Sequence, residues 1–156
     1  MSKFEEGLKL IEERCPGDKD IVMSLATISL EPNEAGRMYP YSREVDAYYE
    51  DGMFYISTHA KSKKMRQIER NPEVSFSVNF EWFTGHGVAE NLGWVKDEKN
   101  AAIREKMKRI FAWFDAHGGE DNPDSIVLRV AITKAIVIKD HGAVRYNMDF
   151  TTKTAT

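Results

Sequence analysis

The alternation of apolar and polar positions predicts a chain built mainly from strands. Residues 21–30 are rich in apolar and β-branched side chains, and 31–36 have the composition of a turn. Residues 37–49 alternate, with Arg37, Tyr39, Tyr41, Arg43 and Val45 on one face. The Asp51-Gly52 pair then leads into a strand at 53–58, which predicts a β-hairpin.

The second half of the chain carries further strand patterns. Residues 74–80 alternate, and 82–90 form another candidate strand in which Gly85 and Gly87 mark a bend or bulge. Residues 126–139 are almost continuous β-formers. His141-Gly142 are expected to turn this strand into a short one at 143–146.

Three segments have helical spacing instead. Phe4, Leu8 and Ile11 define a helix at 4–14, and Ser62 is the predicted N-cap of a helix at 62–71 with Met65 and Ile68 facing inward. The longest predicted helix covers 98–117, and residues 151–156 are expected to form a loose tail. The pattern predicts one α+β domain over 1–156, with a mainly antiparallel sheet or barrel and a few peripheral helices.

Composition narrows the classes of partner. With 42% hydrophobic and 30% charged residues among 156, the chain is typical of a soluble globular protein. A net charge of -3 gives no overall attraction to nucleic acid or an anionic membrane. Cys15 is the single cysteine, which excludes an intrachain disulfide and a thiolate zinc site. Without a signal-peptide pattern or an apolar run that could span a bilayer, a cytoplasmic location is expected.

Hydroxyl and ammonium groups converge where the strand at 53–58 gives way to the following helix. Ser57 and Thr58 end the strand, and Ser62, Lys63 and Lys64 begin the helix. Lysines at the positive end of a helix dipole are unfavourable unless an anion lies there. A phosphate could accept hydrogen bonds from the helix N–H groups, the hydroxyls and the lysines. The alternative is that both lysines are simply solvated.

Several motifs in order carry a family resemblance: MSLATI, GRMYPYSREV, DGMFYIST, SKKMRQIERNPEVSFSV, GHGVAEN and, as a last core strand, VLRVAITKAIVI. Together they resemble the pyridoxamine 5'-phosphate oxidase-like, FMN-binding split-barrel family. The resemblance covers most of the chain and favours the general stress protein and nitroimidazole-resistance branch over the vitamin oxidases themselves.

The resemblance implies FMN as the cofactor and a homodimer with the flavin at the interface. It places Tyr41, Ser42 and Arg43 along the flavin and Trp82 against the flavin of the other subunit. It places a second group of residues around the phosphate, namely Ser57, Thr58, Ser62, Lys63 and Lys64. The vitamin oxidases have Arg-Lys where this chain has Lys63-Lys64, and Gln where it has Trp82.

Each of these side chains also has an ordinary structural interpretation. Trp82, Phe83 and Trp94 could be core or dimer-interface anchors. Tyr39 and Tyr41 could pack across the sheet, and Arg43 could form a surface ion pair. The histidines are scattered and predict neither a metal site nor a catalytic triad; they are His59, His86, His117 and His141.

The resemblance favours a flavin-dependent oxidoreductase acting on an unidentified small molecule, with no catalytic side chain assigned. A non-catalytic flavin-binding or stress-protective module is the main alternative, and a haem- or deazaflavin-binding split barrel is another. A dedicated vitamin oxidase is not expected. No Arg follows Arg145 and no Trp follows Trp113, whereas those oxidases use such residues near the C-terminus for the vitamin phosphate.

Overall fold

The computed structural model describes residues 1–78, 82–116 and 119–156. In these ranges the helices are α1 Lys3–Arg14, α2 Lys63–Arg70 and α3 Ala101–Ile110. The strands are β1 Ile21–Ile28, β2 Pro40–Glu50, β3 Met53–His59, β4 Glu73–Val78, β5 Phe83–Trp94, β6 Ser125–Lys139, β7 Val144–Asp149 and β8 Thr154–Ala155. None of the helices described is long and apolar enough to cross a membrane.

The strands form one antiparallel sheet that closes on itself. Its order is β3-β2-β1-β4-β5-β6-β7-β8, and an additional pairing of β3 with β6 closes the first six strands into a barrel. β6 is long enough to pair with β3 through residues 125–131 and with β7 through residues 134–139. The sheet therefore divides at β6 into a barrel and a β7–β8 extension. The predicted α+β split barrel is confirmed.

The barrel interior is filled by the inward side chains of alternating strands. An aromatic group lies at its centre: the Phe76 ring is edge-on to Phe54 at 5.0 Å and to Phe83 at 5.2 Å. The pairing of β5 with β6 shifts register between His86 and Gly87, which confirms the predicted bulge. A Cβ at Gly87 would lie 2.7 Å from a β6 backbone oxygen, so a side chain there would push the two strands apart.

A second apolar cluster covers the outer face of β2 and β3. Its buried members are Val95, Met107, Phe111, Phe114 and Val127. Tyr48 of β2 is fully buried beneath this layer and stacks on Tyr55 of β3 at 4.9 Å. α3 and the turn after it therefore cover the outer face of this hairpin, whereas the barrel core fills its inner face.

Two predictions about elements are wrong. The helix predicted over 98–117 is a 3₁₀ turn at Glu98–Asn100 followed by α3, and the chain becomes extended at Phe111. Leaving the helix there lets Phe111 and Phe114 both enter the second cluster, and this burial outweighs helix propensity. The tail predicted to be loose instead turns back, and β8 pairs with β7. Residues 79–81 and His117 lie outside the described ranges.

Candidate functional site

The predicted phosphate corner lies at one end of the barrel, where β2 begins, β3 ends and α2 begins. Tyr41 and Arg43 face the barrel mouth, because their β1 partners Thr27 and Leu25 belong to the buried positions of that strand. α2 lies across this mouth with Met65 and Ile68 buried, as predicted. The barrel end, the helix start and three basic side chains therefore meet at one corner.

Neutral oxygens hold the Arg43 guanidinium. One of its terminal nitrogens donates to the Leu25 carbonyl at 3.1 Å and to Thr27 Oγ1 at 2.7 Å. The other donates to Gln67 Oε1 at 3.0 Å. Burial lowers the pKa of Arg43 from its usual value, although a guanidinium stays charged at neutral pH. These bonds therefore fix the orientation of the guanidinium but do not neutralise its positive charge.

Lys64 is the second cation at this corner and is partly removed from water. Its Nζ donates to Thr58 Oγ1 at 2.5 Å. Burial, and secondly the positive charge of Arg43, lower the pKa of Lys64. The two cations therefore repel each other in a partly dry environment, which is unfavourable unless an anion joins them.

Ser62 occupies the N-cap position of α2 in extended conformation, as predicted, but its hydroxyl makes no capping bond. Its Oγ is buried and has no hydrogen-bond partner among the residues that the structure describes. A buried hydroxyl without a partner is rare, because losing its hydrogen bonds to water costs about 1–3 kcal/mol. A phosphate oxygen beside the helix start would supply the missing partner.

Lys63 lies over the Tyr41 ring, which is also 5.9 Å from the Arg43 guanidinium carbon. Its Nζ is 4.6 Å from the centroid of the Tyr41 ring and donates to the phenol oxygen at 3.2 Å. Lys63 is exposed, and Tyr41 keeps 37% of its surface accessible. The contact links β2 to α2 at the rim of the corner.

The residues present at this corner fit a phosphate group. Within the described part of the chain, Arg43, Lys63 and Lys64 form no ion pair with a carboxylate, so the surface ion pair considered for Arg43 is absent there. The donors are the partly desolvated Arg43 guanidinium and Lys64 ammonium, the Thr58 and Ser62 hydroxyls, and the free N–H groups at the start of α2. This set matches a dianion.

The remaining predicted site residues lie away from this convergence. Ser42 and Ser57 face outward from β2 and β3, and Ser57 lines a recess of about 190 Å³ with Trp113 and Phe114. Trp82 is 58% exposed and precedes Phe83, which pairs with Val78 at the end of β4 that is far from α2. Contact between Trp82 and a ligand at the corner would thus have to come from another copy of the chain.

Two residues of the corner were not predicted, although the sequence contains a signal for each. Thr27 continues the inward alternation of β1 as a polar residue that is fully buried. Gln67 lies three residues after Lys64 and beside Ile68, on the buried side of α2. A polar residue at an inward position indicates an internal hydrogen-bond partner.

A larger groove of about 650 Å³ runs along the outer face of β4, β5 and β6 and is bordered by β7 and β8. None of the predicted site residues lines it. The corner is the better candidate site because the unsatisfied hydroxyl and the uncompensated cations are there. In the described residues, no group of three or more His, Cys, Asp or Glu side chains could hold a metal ion.

Comparison with known proteins gives matches over most of the chain. The family model described as pyridoxamine 5'-phosphate oxidase matches residues 16–139. General stress protein 26 of Bacillus subtilis (strain 168) is 28% identical over 117 residues, which are 72% of this chain and 76% of that protein.

Two solved structures share the fold at low sequence identity. One is a pyridoxamine 5'-phosphate oxidase-related, FMN-binding protein from Nostoc punctiforme, with a TM-score of 0.58, 13% identity and coverage of 100% of this chain and 95% of that one. The other is a haem-binding protein from Mycobacterium smegmatis, with a TM-score of 0.63, 16% identity and coverage of 90% of this chain and 57% of that one.

Proposed function

The chain belongs to the pyridoxamine 5'-phosphate oxidase family, and from this premise we propose that it binds FMN with the cofactor's phosphate at the α2 corner. The supporting observation is the unneutralised pair Arg43 and Lys64 beside the buried, unpartnered hydroxyl of Ser62. A phosphate dianion accepts from all three groups and relieves the repulsion between the two cations. Lys63 supplies a further charge at the rim.

The rest of the flavin extends from this corner along the outside of the barrel mouth. Tyr41 offers an exposed ring to a flat, partly polar molecule at the start of β2. The Ser42 hydroxyl is on the opposite face of the strand, so at this position we assign only its backbone to the flavin. FMN would supply hydride or electron transfer, and the protein would supply position and a site shielded from water. A flavin oxidoreductase needs no protein acid or base for this minimum chemistry.

We place the second wall of the flavin site on another copy of the chain. Val22 of β1 and Val88 of β5 are 44% and 38% exposed on the outer side of the sheet, and Trp82, just before β5, is 58% exposed. Exposed apolar surface on a sheet face is typical of a protein interface. A symmetric dimer through this face would bury these residues and bring Trp82 to the partner's flavin.

Two of the relatives suggest a biological role and a second candidate ligand. General stress protein 26 favours a role in a stress response, and the single cysteine fits a reducing cytoplasm. The haem-binding neighbour makes haem the second candidate ligand. His59 ends β3 beside this corner, but its Nδ1 accepts from the Lys61 backbone and its Nε2 lies 3.9 Å from an Asp124 carboxylate oxygen. The cations and hydroxyls of the corner favour a phosphate-bearing ligand over an iron porphyrin.

Parallel titrations of FMN and riboflavin into the apo-protein test the proposal. The two ligands differ by the phosphate alone, so FMN is expected to bind more tightly, by a factor of about ten to a hundred for each charge-assisted hydrogen bond. Equal affinities would show that no phosphate site exists. Haem binding in the same assay, without flavin binding, would establish the second candidate.

Turnover separates an oxidoreductase from a flavin-binding module. Reduction of the bound flavin by NADH or NADPH and reoxidation by a quinone or nitro compound should occur in an oxidoreductase, and a module would show binding alone. The expectation that this chain is not a dedicated vitamin oxidase stays a prediction. Flavin-loaded protein given pyridoxamine phosphate and oxygen should form no pyridoxal phosphate above background.

A further inference from the structure

Gln67 is a neutral polar residue buried beneath the corner, in contact with the Arg43 guanidinium. Its side chain is 2% exposed beneath the corner. Its Oε1 accepts from Thr27 Oγ1 at 2.5 Å and from the Arg43 guanidinium at 3.0 Å. Thr27 is fully buried and accepts from Arg43 at 2.7 Å. The three side chains therefore form a closed network inside the barrel mouth.

The network fixes the orientation of the Gln67 amide. The Arg43 guanidinium has no acceptor, so its contact with Gln67 requires the amide oxygen. Thr27 Oγ1 donates to the same oxygen. An amide reversed by half a turn would place its NH₂ group against the guanidinium, and this contact between two donors would form no hydrogen bond.

The neutrality of Gln67 matters as much as its position. A carboxylate of the same shape would accept the same two hydrogen bonds, but it would also neutralise Arg43. Arg43 would then be an internal ion pair, and its attraction for an external anion would be largely cancelled. Gln67 holds the guanidinium while leaving its charge available.

We propose that Gln67 is a positioning residue that gives the corner its selectivity for phosphate-bearing ligands over neutral ones. It acts through Arg43 and touches no ligand itself. With Thr27 it keeps the guanidinium facing the α2 start in the ligand-free protein, so that little reorganisation is needed when an anion binds. The inference rests on the proposed function, because it concerns the same phosphate site.

The test is the ratio of FMN to riboflavin affinity in Gln67→Glu. The substituted carboxylate accepts from Thr27 and Arg43, so folding should be preserved. The ratio is expected to fall by about tenfold or more, because a charge-assisted hydrogen bond to the phosphate is lost. Riboflavin affinity should stay within about twofold of wild type, since riboflavin has no phosphate. A role in packing alone would affect both ligands equally.

Two further variants make the result specific. Asn71→Asp makes the same amide-to-carboxylate change at the C-cap of α2, where Asn71 Oδ1 accepts from the Glu73 backbone. This change should leave the ratio almost unchanged. Gln67→Met removes the acceptor without adding charge, so it should lower the ratio less than Gln67→Glu does. If the Glu variant does not fold, the ratio of FMN to riboflavin affinity is measured in Gln67→Met instead.

The possible outcomes separate the two proposals. A wild-type ratio near one would refute the phosphate site itself. A high wild-type ratio that Gln67→Glu leaves within about twofold would refute the role of Gln67 while keeping the site. A ratio that falls equally in Gln67→Glu and Asn71→Asp would also refute it, because the effect would then be one of net charge.

Discussion

Replacing Lys64 by Met is expected to stabilise the ligand-free protein and to weaken FMN binding. The Lys64 ammonium is partly desolvated and lies near Arg43, and both effects lower its pKa in the folded state. A base with a lowered folded pKa destabilises the fold at every pH below that value, and this effect disappears above the pKa of the unfolded chain. Met keeps the unbranched stem of Lys and removes the charge.

The expected loss of affinity follows from the contact that Lys64 would make. A hydrogen bond between an ammonium and a phosphate contributes about 1.5–3 kcal/mol, or roughly a ten- to hundredfold change in Kd. Riboflavin affinity should change little. The Thr58 hydroxyl, which accepts from Lys64 in the free protein at 2.5 Å, can bond to water or to the ligand instead.

Thermal unfolding of the Lys64→Met protein without FMN at neutral pH tests the expected gain in stability. FMN titration tests the expected loss of affinity. Lys63→Met is the matched control: Lys63 is exposed and lies over the Tyr41 ring, so its removal should not raise Tm and should weaken FMN less. A Lys64→Met protein with a lower Tm and unchanged FMN affinity would refute the reasoning, because Lys64 would then be a structural residue.

Two other predictions concern the carboxyl group of Asp20 and the dimer. Burial and the nearby Asp46 raise the pKa of Asp20 to about 6, so its ionised form destabilises the fold above that pH. Asp20→Asn should therefore raise Tm at pH 8 and change it little at pH 4. Equal effects at both pH values would contradict this prediction. If Trp82 covers the flavin of the partner subunit, a dimer of one Trp82→Ala chain and one Lys64→Met chain contains one intact site. Mixing equal amounts of the two variants should therefore restore tight FMN binding at about one quarter of all sites. No restoration after confirmed subunit exchange would place Trp82 elsewhere.

The sequence predicted the sheet well because local pattern and tertiary burial agree there. Met23 and Leu25 alternate with less buried positions in β1, and Asp51-Gly52 has the chemistry that a tight hairpin requires. Gly87 was assigned to a bulge for the same reason, since the residue type reports a close approach of two backbones.

The end of α3 could not be predicted, because a tertiary contact decides it. Phe111 and Phe114 continue the helical spacing of Met107, yet the chain leaves the helix at Phe111 to pack both rings against β2 and β6. Nothing local distinguishes that ending from three further residues of helix. The pairing of β8 with β7 is a similar long-range preference that composition does not reveal.

The candidate site was predicted in part. Lys64, Thr58 and Ser62 are close in sequence, so the junction of β3 and α2 places them together and their convergence follows from local structure. Arg43 and Gln67 meet only because the barrel closes and α2 lies across its mouth. Their contact therefore required the fold, as did the finding that Arg43 has neutral partners.

The most direct measurement of the central claim is a crystal structure of the protein with FMN. The account predicts the phosphate within hydrogen-bonding distance of Lys64 Nζ, Ser62 Oγ and the first N–H groups of α2, with the Arg43 guanidinium facing it. A phosphate in solvent or in the groove along β4, β5 and β6, with Ser62 and Lys64 as they are in the ligand-free protein, would contradict the account.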